Sequence, residues 1–268
     1  MKRHIPPGMA VTIVSAWILI GFLVAPLFVV VPYSLTPERY LSMPDGVLSL
    51  RHYRTLVTDS AWIGAIWNSV LVAAGATVIA TPVGGAAAIG VWQLGGRVGR
   101  VVSALAVLPM VVPSIVTALA LSRTWVTLHL FDTYSGVILS HAIIGVPFVF
   151  MTAIAALETL DRRTFQAARS LGAGSLRSVR DVVVPNIKTG LISGAVFAFF
   201  ASWDEIVVTS FVSAQTVFTL PRKIFSDIRD NIDPAVTAIS TIMIIVTFAV
   251  AVVYLLRALP RAKIKESP

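Results

Sequence analysis

The segment between Asp161 and Pro185 reads DRRTFQAARSLGAGSLRSVRDVVVP and predicts two short helices separated by a break. Asp161 is placed to cap the first helix, and Gly172 is placed to end it, because glycine adopts the backbone conformation that terminates many helices. Ser175 is placed to cap the second helix. Pro185 is expected to stop that helix from running unbroken into the apolar segment that follows.

A narrow apolar stripe runs along the first of these helices. Phe165, Ala168 and Leu171 recur three residues apart, and the arginines of the segment are expected to face water. Such a basic, amphipathic segment fits two roles. It is either a docking element for another protein or a solvated loop beside the lipid headgroups, and the residues alone leave both roles open.

Long apolar segments make up most of the remaining chain. Of its 268 residues 56% are hydrophobic and only 13% are charged, and the mean hydropathy is +0.86. A helix needs about 20 apolar residues to cross the hydrocarbon core of a bilayer. Six segments are long enough: residues 10–32, 67–91, 101–121, 136–157, 189–212 and 236–256. We therefore expect an all-α membrane protein, with residues 1–268 forming one domain of six transmembrane helices and a coupling loop at residues 158–188.

The distribution of positive charge predicts how these segments are oriented. The net charge is +8, and 14 of the 21 Lys and Arg residues lie in four places: the N-terminal tail, the loop with Arg97 and Arg100, the loop at residues 158–188, and the C-terminal tail. Positive residues favour the cytoplasmic side of a membrane, so both termini are expected to be cytoplasmic. Because the positive charges are spread between apolar segments, nucleic acid is not an expected partner.

Several kinds of chemistry are excluded by what the sequence lacks. It contains no cysteine, which rules out a disulfide, a thiolate metal site and a cysteine nucleophile. It contains no Gly-x-x-x-x-Gly-Lys-Ser/Thr motif, so the chain is not expected to hydrolyse ATP itself. His52 and His129 have no partners at metal-ligand spacing. We therefore expect neither catalytic residues nor a metal site.

The segment at residues 166–185 resembles the cytoplasmic signature of the permease subunits of binding-protein-dependent ABC importers. That signature has Glu-Ala-Ala, three residues, Gly, nine residues and then Ile-x-Leu-Pro. Gln166 with the two alanines after it, Gly172, and residues 182–185 match this spacing without a gap. Valines replace Ile and Leu and keep the apolar character. Gln166 replaces the usual glutamate, so any ion pair that the glutamate makes would be lost here.

The resemblance extends over nearly the whole chain. Asn68-Ser69 at the start of the second apolar segment and residues 108–114 in the third are similar to the same family. Three later stretches resemble its spermidine/putrescine permease subfamily. They are SWDEIVVTSF at residues 202–211, TLPRKIF at residues 219–225 and NIDP at residues 231–234.

This resemblance implies a type I ABC importer permease fold with a cytoplasmic coupling helix, in a multi-pass protein of the bacterial inner membrane. It implies assembly with a dimer of ABC ATPase subunits, which bind ATP and magnesium, with a second and different permease subunit, and with a periplasmic solute-binding protein. The implied solute is a polyamine such as spermidine or putrescine, while similar relatives carry other small solutes, including phosphonates. No cofactor is expected in this chain. The residues expected to couple it to the ATPase are Phe165, Gln166, Ala167, Ala168, Arg169, Leu171, Gly172 and Pro185.

Two carboxylates lie inside the fifth apolar segment. Unpaired charges in a membrane are costly, so Asp204 and Glu205 are expected to face a watery path or a cationic partner. If the solute is a polyamine, a carboxylate attracts its ammonium groups and Trp203 adds a cation–π contact. The alternative is a salt bridge, for example to Arg123. His141 in the fourth segment is expected to be a packed, hydrogen-bonding residue.

Two other classes of membrane protein compete with the importer permease. A secondary transporter driven by an ion gradient favours inverted repeats and ion ligands near the bilayer midplane, and the sequence shows no convincing repeat. A membrane-embedded enzyme needs clustered polar residues within the spans, and only Asp204 and Glu205 come close. The importer permease is therefore the function that the sequence favours.

Overall fold

The computed structural model describes residues 7–230 and 233–258, and in these residues every regular element is a helix, as predicted. The charged tails at both ends of the chain, and Asn231 and Ile232 of the NIDP stretch, lie outside the described residues. The first six helices are α1 (Pro7–Tyr33), α2 (Arg51–Thr58), α3 (Ser60–Leu94), α4 (Gly96–Val111), α5 (Ser114–Thr127) and α6 (Tyr134–Glu158). The others are α7 (Arg162–Ser170), α8 (Ser175–Ser178), α9 (Val184–Asn186), α10 (Lys188–Trp203), α11 (Val207–Val212), α12 (Leu220–Asp230) and α13 (Ala235–Ala258), with a π-helical turn at Val179–Val183 between α8 and α9.

Helices cover all six of the apolar segments. By length and composition, three are able to cross a membrane as single helices: Val11–Tyr33, Ser60–Leu94 and Tyr134–Glu158. The third apolar segment is a bent pair, because α4 and α5 meet at 103°. A second bend of 74° separates Ser175–Asn186 from α10. In α13 the apolar stretch Ala235–Val250 is shorter than these three helices. The count of six crossings therefore stays a prediction.

The chain divides into two compact units. One contains the described residues up to Ile63 and from Ile224 onward. Within it, α1 and α2 each pack against α13. None of the most apolar 18-residue stretch of α1 is buried, as expected for a helix that lies against lipid. The loop before α2 is fixed by a hydrogen bond of 2.7 Å between the Ser34 and Tyr53 hydroxyls. The prediction of one domain over the whole chain stays a prediction.

The second unit, Gly64–Lys223, is built on close contacts between α3, α6 and α10. Gly145 on α6 lies where an added Cβ would be 3.1 Å from both Ala80 Cβ and Ala198 Cβ. At Gly194 on α10, an added Cβ would lie 2.6 Å from Val149 Cα. Small residues let helix backbones approach closely, and this is how helices pack where the hydrophobic effect between them is weak. The glycines therefore fix the spacing of the three helices.

We expect Gly194→Ala to lower the stability of the protein by about 2 kcal/mol, because the new methyl group meets backbone atoms that cannot move aside. The measurement is the thermal unfolding of the purified protein in detergent. Gly90→Ala on α3 is the matched control, since nothing lies within 4 Å of a Cβ added there. Equal unfolding temperatures for the two variants would show that the helices are not held this closely.

Candidate functional site

We call residues 161–187 the docking element, and its first helix is formed as the sequence predicts. Asp161 Oδ1 accepts a hydrogen bond of 2.9 Å from the Arg163 N–H and so caps α7. At the other end Gly172 has a φ of +89°. The Gly172 N–H donates to Arg169 O at 3.0 Å, and the Ala173 N–H donates to Ala168 O at 3.2 Å. This pair of bonds is a Schellman motif, which ends α7 firmly.

The second half of the docking element differs from the prediction. Gly174 is the residue that precedes α8, and Ser175 is its first residue instead of its cap. The helical path continues through the π-helical turn and α9, with Pro185 inside the first turn of α9. The chain turns at Ile187 instead, before α10 begins.

Trp92 at the end of α3 anchors the docking element, and the sequence analysis did not single it out. The Phe165 ring meets the Trp92 ring edge-on, with the centroids 5.6 Å apart. Arg162 Nη2 donates to Trp92 O at 2.8 Å, and its guanidinium group lies 5.4 Å from the centre of the indole ring. Arg162 is exposed, as predicted, and it also binds α3.

The later part of the docking element is anchored in the same apolar cluster. Val183 and Ile187 are fully buried, and they pack in one cluster with Trp92 and with Leu157 at the end of α6. The two halves of the docking element are thus attached to the ends of two long helices. A displacement of the element is expected to move these helix ends with it, because packed interiors deform little.

Part of the apolar stripe remains uncovered. Phe165 and Ala168 are half-buried, whereas Leu171 is 89% exposed; Leu176 on α8, outside the stripe, is 83% exposed. A cleft of about 560 Å³ opens beside the stripe. Its lining residues are Trp92, Gln93, Arg162, Phe165, Gln166, Arg169, Ser170 and Ser175. Of the other residues predicted for coupling, Ala167, Gly172 and Pro185 are exposed.

The residues predicted for the solute path lie at a break between α10 and α11. Trp203 ends α10 and stacks on Phe199 with 5.9 Å between ring centroids. Asp204 follows α10 and is exposed. Glu205 is half-buried, and its Oε1 accepts a hydrogen bond of 2.8 Å from the Val208 N–H at the start of α11. Within the described parts of the chain, no ion pair joins Asp204 to Arg123.

His141 on α6 holds both sides of this break. Its Nδ1 is 2.8 Å from Ser202 Oγ on α10, and its Nε2 is 2.8 Å from Thr209 Oγ1 on α11. A neutral imidazole has one donor and one acceptor nitrogen, and a hydroxyl complements either. The imidazole is fully buried. The prediction of a packed, hydrogen-bonding histidine is therefore confirmed, while its partners, more than 60 positions away, were not predictable.

A carboxylate outside the spans fixes the loop that follows α11. Asp132 Oδ1 accepts hydrogen bonds from Ser213 Oγ at 2.7 Å and from the backbone N–H groups of Ala214, Gln215 and Thr216 at 2.9, 3.1 and 2.9 Å. Burial works against ionisation of Asp132, but the hydrogen bonds from Ser213 and Thr216 outweigh it and hold the pKa of the carboxyl well below its ordinary value. We call Asp132 with residues 213–216 the loop clasp.

Arg222 at the start of α12 completes the loop clasp from the other side. Its Nη1 donates to Ser213 O at 3.0 Å and its Nη2 to Ala214 O at 2.8 Å. The guanidinium also lies 4.6 Å from the centre of the Phe218 ring. The sequence analysis missed this arrangement, because Asp132 and its partners lie 81 or more positions apart and share no motif.

The Asn68-Ser69 pair has a structural role beside the loop clasp. Asn68 Nδ2 donates to Phe218 O at 3.2 Å, and the Tyr134 hydroxyl donates to Asn68 Oδ1 at 2.8 Å. Ser69 Oγ accepts from the Leu220 N–H at 2.7 Å. The start of α3 thus holds the backbone that leads into α12.

Residues 80–263 match the protein family described as "Binding-protein-dependent transport system inner membrane component". An all-helical chain with apolar spans and a helix–break–helix element between two of them fits this class of membrane transport protein. The chain belongs to this family, and it is a multi-pass permease of the inner membrane. The family resemblance stated from the signature residues is confirmed.

Individual relatives and a solved structure agree with this assignment. The chain is 30% identical over 236 residues to the spermidine/putrescine transport system permease protein PotC of Haemophilus influenzae, covering 88% of this chain and 91% of that protein. It is 31% identical over 230 residues to the putrescine transport system permease protein PotI of Escherichia coli strain K12, covering 83% and 82%. It also superposes on a chain of a bacterial ABC transporter involved in the import of the acidic polysaccharide alginate, with a TM-score of 0.73 and 16% identity over 94% of this chain and 99% of that one. The last comparison confirms the permease fold.

We expect Asp132→Asn to destabilise the protein at pH 7, because the amide lacks the charge that strengthens these hydrogen bonds. The loss should be only about 1 kcal/mol, because nearby water partly screens that charge. The folded-state pKa of Asp132 is depressed, so the carboxylate stabilises the fold above the ordinary aspartate pKa. That contribution is lost as the pH falls through the folded-state pKa. Thermal unfolding of both proteins between pH 7 and pH 3 measures the difference. A difference that is the same at every pH would contradict the role of the charge.

Proposed function

We propose that this chain is a permease subunit of an ATP-driven importer and that it translocates a polyamine such as spermidine or putrescine. The observation that carries the proposal is the docking element, which is firmly attached to α3 and α6 yet exposes Leu171 and Leu176 beside an open cleft. The exposure of two leucine side chains to water costs free energy, and their burial under a partner protein is favourable. In the permeases that carry this signature, the segment couples the permease to an ABC ATPase.

The ATPase supplies the energy in this proposal. ATP and magnesium bind to a dimer of ATPase subunits, and this chain needs no cofactor. Phe165, Gln166 and Arg169 line the cleft that receives the ATPase surface, with Ala167, Ala168, Leu171, Gly172 and Pro185 shaping the element around it. Closure of the ATPase dimer then moves the ends of α3 and α6 through the apolar cluster that holds Val183 and Ile187.

The membrane topology completes the proposal. Six crossings with both termini in the cytoplasm place the docking element on the cytoplasmic side and the loop clasp on the periplasmic side. A second, different permease subunit provides the other wall of the path. A periplasmic binding protein delivers the solute to the side that carries the loop clasp.

A cationic solute is favoured over an anionic one. Glu205 lies in the break between α10 and α11, and within the described residues it forms no ion pair. A carboxylate without a counter-charge attracts an ammonium group and repels a phosphonate. The two relatives PotC and PotI are spermidine/putrescine and putrescine transport permeases, and this supports the same class of solute.

The function is tested by reconstituting the chain in proteoliposomes with its ATPase, its second permease and its binding protein, and by measuring the uptake of radiolabelled putrescine. We expect uptake that requires ATP on the ATPase side and proceeds without an ion gradient. A complex assembled without the ATPase is the control. Uptake driven by an ion gradient in the absence of ATP would favour a secondary transporter instead.

We expect Gly172→Val to reduce uptake about tenfold while the protein still inserts, because a β-branched residue is strained at a φ of +89° and α7 then ends in a different direction. Uptake and ATPase stimulation by the loaded binding protein are the measurements. Gly174→Val is the matched control, since Gly174 has a φ of −64° and open space around it. Normal coupling in the Gly172 variant would show that the docking element does not transmit the motion.

A further inference from the structure

The break between α4 and α5 leaves backbone carbonyl groups without helical partners. α4 ends at Val111, α5 begins at Ser114, and the two helices meet at 103°. In an unbroken helix the Pro109 carbonyl would accept from the amide of residue 113, but that residue is proline and has no N–H. Broken backbone within a membrane is tolerated where it is buried in protein or lines a water-filled cavity.

A cleft of about 320 Å³ lies at this break. Residues 109–114, Ile144 and Phe148 of α6, and Glu205 and Val208 are among its lining residues. Most of these side chains are apolar, and Glu205 is the single ionisable residue of the lining. The volume lies near the lower end of the range for small-molecule sites, about 300 to 1,000 Å³, and suits one small, linear molecule.

Glu205 is positioned for a cation in this cleft. The hydrogen bond from the Val208 N–H occupies Oε1 and fixes the side chain, which leaves Oε2 outside that bond. In the part of the chain that the structure describes, no Lys or Arg forms an ion pair with Glu205. Residues 109–111 at the C-terminal end of α4 are also among the lining residues, and the carbonyl groups of a helix C-terminus carry partial negative charge. Carboxylate and carbonyl oxygens together favour an ammonium donor.

We propose that this cleft is a binding subsite for an alkylammonium group of the solute, with Glu205 as the residue that contacts the charge. The ammonium group donates to Glu205 and to the carbonyl groups at the end of α4, while the methylene chain lies against Phe148 and Ile144. Asp204 is exposed and is absent from the lining of the cleft, so it is assigned no contact with the solute. This inference rests on the proposed function, because it names the part of the solute that the path recognises.

The first test compares two neighbouring carboxylates in the reconstituted complex. We expect Glu205→Gln, which keeps an acceptor for the Val208 N–H, to raise the KM for putrescine uptake about tenfold, because a hydrogen bond to a charged group is lost. Glu205→Asp keeps the charge, so its KM should lie between that of the wild type and that of Glu205→Gln. Asp204→Asn is the matched control and should leave the KM unchanged. A wild-type KM in the Glu205→Gln variant, or an equal rise in both neutral variants, would overturn the subsite.

The second test leaves Glu205 in place, so it remains informative if the first variant does not fold. The chain contains no cysteine, and Ser114 in the lining of the cleft is exposed. The variant Ser114→Cys is labelled with a small thiol-reactive ethylammonium reagent, and the labelling of this chain is followed by mass. We expect putrescine to slow the labelling several-fold. At Ser175→Cys, in the cleft beside the docking element, putrescine should have no effect.

The outcomes separate the subsite from the function on which it rests. If the wild-type complex takes up no putrescine, the proposed polyamine transport is wrong. If the wild-type complex takes up putrescine but Ser114→Cys is labelled at the same rate with and without it, the subsite is wrong and the function stands.

Discussion

The contact between Trp92 and the docking element is the interaction on which the rest of the structure depends. The Phe165 and Trp92 rings pack edge to face, and Arg162 donates to the Trp92 backbone carbonyl and lies over the indole ring. Without this contact, α7 would be a short, exposed helix, and isolated helices of that length are not stable in water. With it, a segment that is polar on one side and apolar on the other has a fixed position on the end of α3.

A second constraint acts within the unit Gly64–Lys223, where glycine and alanine bring α3, α6 and α10 close together. A bundle packed on backbone contacts has little freedom to deform within its helices. Movement is therefore concentrated where the helices are interrupted. Glu205 is involved in two of these interruptions: it lines the cleft at the break between α4 and α5, and it accepts a hydrogen bond from the helix that follows the break between α10 and α11. His141 ties the two sides of the second break to α6.

Sequence reasoning succeeded where the signal is local. Asp161 and Gly172 act within a few residues of themselves, so the start and end of α7 follow from residue type and spacing. The family signature covers the same short segment, and it was sufficient to identify the family. The third apolar segment contains Pro109 and Pro113, but hydropathy does not distinguish a straight helix from two helices at 103°.

What could not be predicted depends on contacts between distant positions. Trp92 and Arg162 are 70 residues apart, and Asp132 and Ser213 are 81 apart. The difference in role between Asp204 and Glu205 has the same origin. As neighbours in one helix they would point in directions about 100° apart, but α10 ends at Trp203, before both of them. Glu205 is half-buried and lines the cleft at the break between α4 and α5, whereas Asp204 is exposed and outside that lining.

The most direct test of the central claim is the coupling of transport to ATP hydrolysis in Trp92→Ala, with Trp17→Ala on the exposed face of α1 as the control. The complex is reconstituted, and both putrescine uptake and ATP hydrolysis stimulated by the loaded binding protein are measured. If Trp92 fixes the docking element to α3, the ATPase still co-purifies with the Trp92 variant, while uptake per ATP hydrolysed falls sharply. An unchanged ratio of uptake to hydrolysis in that variant would contradict the claim.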